Sequence, residues 1–279
     1  MLYLLPLAGL AIGLLVSVMG GGGGIFYVII LTGLFHFPVP VTASSSLATI
    51  IPTTLTAFLS HYRQGHIRLE VARWVILGAM AGTVAGSFVT AWIPEPYQKK
   101  MLGLTLLAML VPMARRARKA QPAVTRSPAG SSDGAGESSL TGSGRGDAPG
   151  DGPSSAPSPR RHVLAIAYGL LAGIMSGMVG ISGTPPVIAG LYALGLKAKE
   201  VVGTSLMVLL AIGITGVVAH SALGEVNWPI VFLLGAGTVT GAFLGPLLLS
   251  RANPAALEKV YGPFFLLLVG FFGVYMLMG

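Results

Sequence analysis

The chain alternates long apolar stretches with short polar breaks, and it does so twice. In the first half the apolar stretches cover about 2–19, 25–35, 41–60, 74–93 and 101–114. In the second half they return at about 163–179, 184–194, 201–219, 228–249 and 260–278. Three stretches in each half approach or reach the roughly 20 residues a helix needs to span a bilayer core. The opening pair in each half is different. A segment of 16 to 18 residues runs into a glycine knot, Gly20 to Gly24 or Gly180-Ile181-Ser182-Gly183, and an 11-residue apolar piece follows. At about 1.5 Å per residue that piece is too short to cross alone. The pair is either one broken helix that crosses once or a hairpin that dips in and returns to the side it left.

The two halves match residue by residue at an offset of 159 without a gap. Gly21 and Gly24 fall on Gly180 and Gly183, Ser46-Leu47 on Ser205-Leu206, and His61 and Gly65 on His220 and Gly224. Gly78, Gly82 and Gly86 fall on Gly237, Gly241 and Gly245, and they read as a close-packing helix seam. Two tandem apolar copies, each broken by glycines near its start, form the pattern of a duplicated membrane transporter. The expected fold is an all-α polytopic membrane protein. Residues 1–114 form the first membrane repeat, 162–279 the second, and 115–161 the linker between them.

Loop charge decides between the two readings of the glycine-broken pair. If the pair crosses once, the 17 Lys and Arg residues divide 11 to 6 across the membrane; if it is a re-entrant hairpin, they divide 15 to 2. Cytoplasmic loops carry the excess of basic residues, which favours the hairpin. Each half then has an odd number of crossings and the second half inserts upside down. This reading makes the halves inverted-topology repeats, with the N-terminus outside and the linker in the cytoplasm. The linker is rich in Pro, Gly, Ser, Ala and Asp between basic ends, has almost no large apolar residue, and is expected to be disordered. The N-terminus has no basic leader and reads as a retained first membrane segment.

Composition narrows the function classes. Hydrophobic residues make up 53% of the chain and charged residues 9%, against roughly 25% charged in soluble proteins. Lipid must therefore cover the surface. The net charge of +8 resides in loops between apolar spans, where membrane orientation accounts for it and no nucleic-acid partner is needed. There is no cysteine, which excludes disulfides and thiol chemistry. No metal site or cofactor is expected, and no buried nucleophile–base pair suggests an enzyme. The nine acidic residues fall in expected loops, the linker or helix ends, so a carboxylate relay within a span has no residues to use.

The residues with chemistry to offer surround the knots. A bent backbone inside a membrane leaves NH and CO groups that lipid cannot satisfy, so it survives only against protein or a water-filled site. A short helix follows each knot, and Thr184-Pro185-Pro186 is a strong helix start. The first turn of such a helix offers free NH groups and a partial positive charge to an anion. Gly21, Gly22, Gly23 and Gly24 with Gly180, Ser182, Gly183 and Thr184 are thus the candidate substrate-binding backbone. Ser45 and Ser46 and the matching Thr204 and Ser205 are candidate hydroxyl donors. His61 and His220, each four residues before a glycine at a helix end, are candidate gate or proton-sensing groups.

These features together resemble the sulfite exporter TauE/SafE family of membrane permeases. The likeness rests on the glycine-rich turn Gly20 to Gly24, on Val202-Gly203-Thr204-Ser205-Leu206, on the duplication, and on His-x3-Gly followed by an aliphatic residue in both halves. It covers both membrane halves. The resemblance implies transport of small sulfur-containing or organic anions such as sulfite, sulfonates or sulfoacetate, across a plasma or inner membrane. Two departures bear on the substrate: Ala43-Ser44-Ser45-Ser46 stands where Gly-Thr-Ser would, and the 47-residue linker is long. An anion channel and a membrane scaffold acting through the linker are the competing classes. A small anion and the lipid bilayer are the expected partners, with a homo-oligomer left open.

Overall fold

A computed structural model describes residues 2–19, 24–63, 65–120, 159–249 and 254–278. Most of the linker, together with Gly20 to Gly23, lies outside the described residues. Every regular element described is helical. After a 3-10 turn at Leu2–Leu4 come α1 (Leu5–Met19), α2 (Gly24–Leu34), α3 (Val39–Arg63), α4 (Leu69–Trp92) and α5 (Glu95–Ala120). The second half contributes α6 (Pro159–Val179), α7 (Thr184–Ala193), α8 (Ala198–Ala222), α9 (Trp228–Leu249) and α10 (Pro254–Met278). α2 is α-helical over Gly24–Val28 and widens to a π-helix over Ile29–Leu34. α5 and α6 extend into both ends of the stretch read as linker.

Chain punctuation explains the boundaries. Proline opens α6 and α10 and stands in the first turn of α7 and α9, where its missing NH has no partner to lose. Gly65, Gly195 and Gly224 end α3, α7 and α8 with positive φ angles of 68°, 84° and 72°. In each case the next residue donates its NH five residues back: His66 to His61, Leu196 to Leu191, and Glu225 to His220. This is a Schellman stop, in which glycine takes the left-handed position without a Cβ penalty. The repeated His-x3-Gly pattern is therefore a helix terminator in both halves.

Among the described residues, α4, α6 and α8 are long and apolar enough to cross a membrane. α3 has 25 residues, enough to cross, yet it is rich in hydroxyls. Its stretch 42–50 is buried on every side, so neighbouring helices rather than lipid surround it. Several of its hydroxyls bond back along the helix, as Thr49 Oγ1 does to the Ser45 carbonyl at 2.8 Å and Thr54 Oγ1 to Ile50 at 2.8 Å. α7, with 10 residues, and α2, with 11, are about 15 Å long, half a bilayer core.

Two glycine seams hold the bundle. Gly78, Gly82 and Gly86 of α4 press onto the backbone of Ile166, Leu170 and Ile174, while Gly169, Gly173 and Gly177 of α6 press onto Val75, Ala79 and Thr83. Gly9 and Gly13 of α1 meet Gly237 and Gly241 of α9 in the same manner. Residue numbers rise together along both seams, so each helix pair is parallel. α4 and α8 are parallel as well, with Arg68 beside Thr204 and Ser87 beside His220. α3 and α8 run antiparallel, with Ser44 beside Glu225 and Leu47 beside Gly213 and Gly216. α5 and α10 are antiparallel too, with Gly103 against Gly273 and Gly270 against Leu110.

These directions constrain the second knot. α6 and α8 both run parallel to α4, hence the same way as each other. The chain must turn back between them through the knot and α7. A single broken crossing by α6 and α7 would have sent α8 in the opposite direction.

Candidate functional site

The second knot is built by two left-handed glycines. Gly180, at φ 74°, leaves α6, and Gly183, at φ 58°, caps α7. Between them Gly183 NH donates to the Ile181 carbonyl, and Gly180 NH closes α6 onto Ser176 at 2.8 Å. Neither glycine has room for a side chain: a Cβ on Gly180 would strike Ala43 of α3, and one on Gly183 would lie 2.6 Å from the Ala172 carbonyl. The tight backbone is set here by φ and by close neighbours together.

Tertiary packing brings Gly24, the last glycine of the first knot, against the second knot. A Cβ on Gly24, at the start of α2, would lie 2.8 Å from the Ser182 NH nitrogen and 3.2 Å from Ser182 Cβ. α3 inserts between them. Ser46 Oγ donates to the Gly180 carbonyl at 2.9 Å, and the Gly24 carbonyl lies 3.5 Å from the same hydroxyl. Ser182 and Thr184 share a hydroxyl hydrogen bond at 2.8 Å across the first turn of α7. Gly24, Ser46, Gly180, Ser182 and Gly183 are buried and Thr184 is half-buried. Two further hydroxyls, Ser45 Oγ of α3 and Ser176 Oγ of α6, are fully buried with no hydrogen-bond partner. An orphaned buried hydroxyl costs about 1–3 kcal/mol, so these two retain unused hydrogen-bonding capacity.

The other expected site residues are placed differently. Gly21, Gly22 and Gly23 lie outside the described residues. The Thr204 hydroxyl accepts from Arg68 NH at 3.1 Å and is occupied at the start of α4, away from the Gly24–Ser182 contact. Ser205 is buried and bonds back to the Val202 carbonyl at 2.9 Å. His61 is half-buried, and its ring lies 5.7 Å from that of His66. His220 is fully buried against Glu225, Ser87 and Gly177. It lies at the C-terminal end of α8, while His61 ends the antiparallel α3.

Sequence reasoning missed Glu225 and Ser87. Glu225 follows the Gly224 turn and reads as a loop carboxylate, but the Schellman geometry folds it back onto the helix end. The available signal was its position, five residues after His220, matched at the offset by His66 after His61. Ser87 carried none, since nothing in its own helix distinguishes it from a seam residue.

The sequence that builds this bundle matches one known group of proteins. The pattern of the sulfite exporter TauE/SafE family matches residues 5–276. The chain belongs to this family. It is similar to the "Probable membrane transporter protein YdhB" of Bacillus subtilis (strain 168), at 27% identity over 239 residues covering 84% of each chain. It is also similar to the "Probable membrane transporter protein YunE" of the same organism, at 26% identity over 87% of this chain and 86% of the relative. A "Probable membrane transporter protein" of Xylella fastidiosa (strain Temecula1 / ATCC 700964) aligns at 24% over 92% of this chain and 87% of its own. No solved structure matches. Membership makes the chain a multi-pass membrane protein of a transporter family and not an enzyme.

Proposed function

We propose that the protein is a permease that carries a small sulfur-containing or organic anion, of the sulfite, sulfonate or sulfoacetate type, across the plasma membrane. The observation that carries this reading is the meeting of Gly24 and Ser182 under the Ser46 hydroxyl. It sets the starts of α2 and α7 beside each other. At α7 Pro185 and Pro186 carry no NH and the Val187 NH is taken by the Gly183 carbonyl, so that start offers an anion the Thr184 NH, the Ser182 and Thr184 hydroxyls and a dipole of about half an elementary charge. Ser45 and Ser176 add hydroxyls that have no other partner. Oxyanions are bound by such NH and OH donors without any cationic side chain. The family name adds sulfite to this chemistry, and the relatives' names add transport.

The mechanism is alternating access between two inverted halves around the paired knots. Its support is directional. Helices that correspond at the 159-residue offset, α3 with α8 and α5 with α10, run antiparallel, as an in-plane two-fold axis requires. A parallel duplication would align them. The seams exchange partners in the same sense: α4 lies on α6, and their counterparts α9 and α1 lie on each other. In this topology the N-terminus is outside and the linker cytoplasmic, with Arg63, Arg68, Lys197 and Lys199 sharing the cytoplasmic end.

The test is flux of labelled sulfite and methanesulfonate into proteoliposomes, for the wild type and a Gly24→Leu, Gly183→Leu double variant. Saturable flux lost in a variant that still folds supports the site. Flux unaffected by the leucines means that the glycines only pack helices, and linear non-saturating flux means a channel.

A further inference from the structure

We propose that His220, Glu225 and Ser87 form a proton-binding site that controls the second glycine knot and couples a proton to anion passage. The proton site stands on its own geometry, and its transport consequence rests on the permease reading. His220 is 0% exposed. Its Nδ1 lies 2.6 Å from Glu225 Oε2, and its Nε2 lies 3.1 Å from the Gly177 carbonyl and 3.2 Å from Ser87 Oγ. The single Ser87 hydroxyl proton goes to the Thr83 carbonyl at 2.9 Å when Nε2 carries a proton, and to Nε2 when it does not. With the Ser87 proton on Thr83, every partner around the ring is an acceptor.

That arrangement sets the proton count. A neutral imidazole has one NH and one lone pair. Facing acceptors on both sides, the ring needs one proton on Nε2 and a second between Nδ1 and Oε2. The pair can hold that second proton as imidazolium and carboxylate or as imidazole and carboxylic acid. When the proton leaves to water, the one that remains stays on Nδ1 against the carboxylate, and the Nε2 lone pair that results gives up the Gly177 carbonyl and accepts from the Ser87 hydroxyl. Glu225 supplies the route, since its side chain is 17% exposed while that of His220 is sealed.

Among the described residues, no basic side chain shares the site. α4, α6 and α8 pack around the imidazole, and their basic residues Arg68, Arg73, Arg160, Arg161, His162, Lys197 and Lys199 all lie at the opposite helix ends. Fourteen residues separate Arg73 from Ser87, about 21 Å along α4. From α3, Ser44 Oγ bonds the Glu225 carbonyl at 3.1 Å and adds no charge. Glu225 is the titratable group facing His220 among the described residues.

The path to the knot is short. Gly177 lies one turn before Gly180, whose carbonyl receives Ser46. Loading the proton pins the last turn of α6 to α4 and α8 through one ring, and releasing it frees that turn. The device is present at one end only. At the 159-residue offset, His66 takes the place of Glu225, Pro246 that of Ser87 and Val18 that of Gly177. In the proposed topology the proton is exchanged with the outside.

The decisive experiment is an imidazole nitrogen-15 NMR titration of the full chain in nanodiscs, with the His220 signals assigned by their loss in His220→Gln. The expected wild-type ring passes between a doubly and a singly protonated form across the pH series, and Glu225→Gln moves the population toward the singly protonated form. A ring that stays singly protonated throughout the series, or a population that Glu225→Gln leaves unchanged, overturns the proposal. Coupling is read as methanesulfonate flux in proteoliposomes under an imposed pH gradient. A several-fold acceleration in the wild type, absent from Glu225→Gln, supports it. Wild-type flux indifferent to the gradient overturns the coupling and leaves the permease standing. No methanesulfonate flux at all removes the sulfonate reading, while the titration still decides the proton site.

Discussion

One hydroxyl does most to join the two halves at their breaks. Ser46 reaches the Gly180 carbonyl of the second half from a helix of the first, with Gly24 beside it. Ser46→Ala leaves that carbonyl buried without its donor, and the expected loss of stability is about 1–3 kcal/mol. Thermal unfolding in detergent measures it, and anion flux should fall with it, because the carbonyl holds the knot in shape. Ser45 offers a contrast. Its hydroxyl already lacks a partner, so Ser45→Ala removes an uncompensated desolvation cost and should stabilise the fold, by up to about 1–3 kcal/mol. If Ser45 serves the anion, the same variant raises the concentration needed for half-maximal flux. Unchanged half-saturation removes Ser45 from the site.

At the scale of elements, glycine does two separate jobs that substitution can tell apart. Gly224 has a positive φ of 72° and nothing within 4 Å of a Cβ, so only backbone strain opposes alanine there. Gly224→Ala should cost about 1–2 kcal/mol, the penalty of a left-handed non-glycine residue. Gly173 is ordinary helix, but a Cβ there would lie 2.7 Å from Thr83 N and meet the Ala79 carbonyl. Gly173→Val therefore has to push α4 and α6 apart, at a cost of about 1–3 kcal/mol or more for overpacking. The distinguishing measurement is unfolding of both variants alongside Gly173→Ala and Gly224→Asn. Asparagine, which tolerates the left-handed region, should recover part of the loss at 224. Alanine at 173 should recover only part of the loss caused by valine.

For the molecule as a whole, topology and linker can be tested on one background, because the chain contains no cysteine. Arg63 and Ser221 are exposed ends of the antiparallel α3 and α8. In intact cells, Ser221→Cys should react with a membrane-impermeant maleimide and Arg63→Cys should not. Labelling of both from outside would rule out the inverted arrangement. Deleting 121–158 and joining the halves by a flexible tether should leave flux largely intact, since the packing that brings Gly24 against the second knot is made by helices on either side. Loss of flux in a folded deletion variant would turn attention to the linker as the working part.

Much of the architecture was legible in residue pattern alone. Apolar runs of spanning length, the second glycine interruption and the helix stops all depend on local chemistry: lipid transfer of side chains, backbone hydrogen bonding and the left-handed freedom of glycine. Those effects act within a few residues, so a linear reading can find them. What such a reading could not supply was partnership across the bundle. Ser46 shows no sign of bonding to Gly180, 134 positions away, and Thr204 looks like its equal until its hydroxyl is seen capping α4. Glu225 looked like a solvent-facing loop carboxylate because it follows a turn glycine. Only the return of that turn onto α8, with α4 and α6 closing over it, buries the imidazole it pairs with. Hydrogen bonds and ion pairs depend on distance in space, and distance in space is decided by how the helices pack.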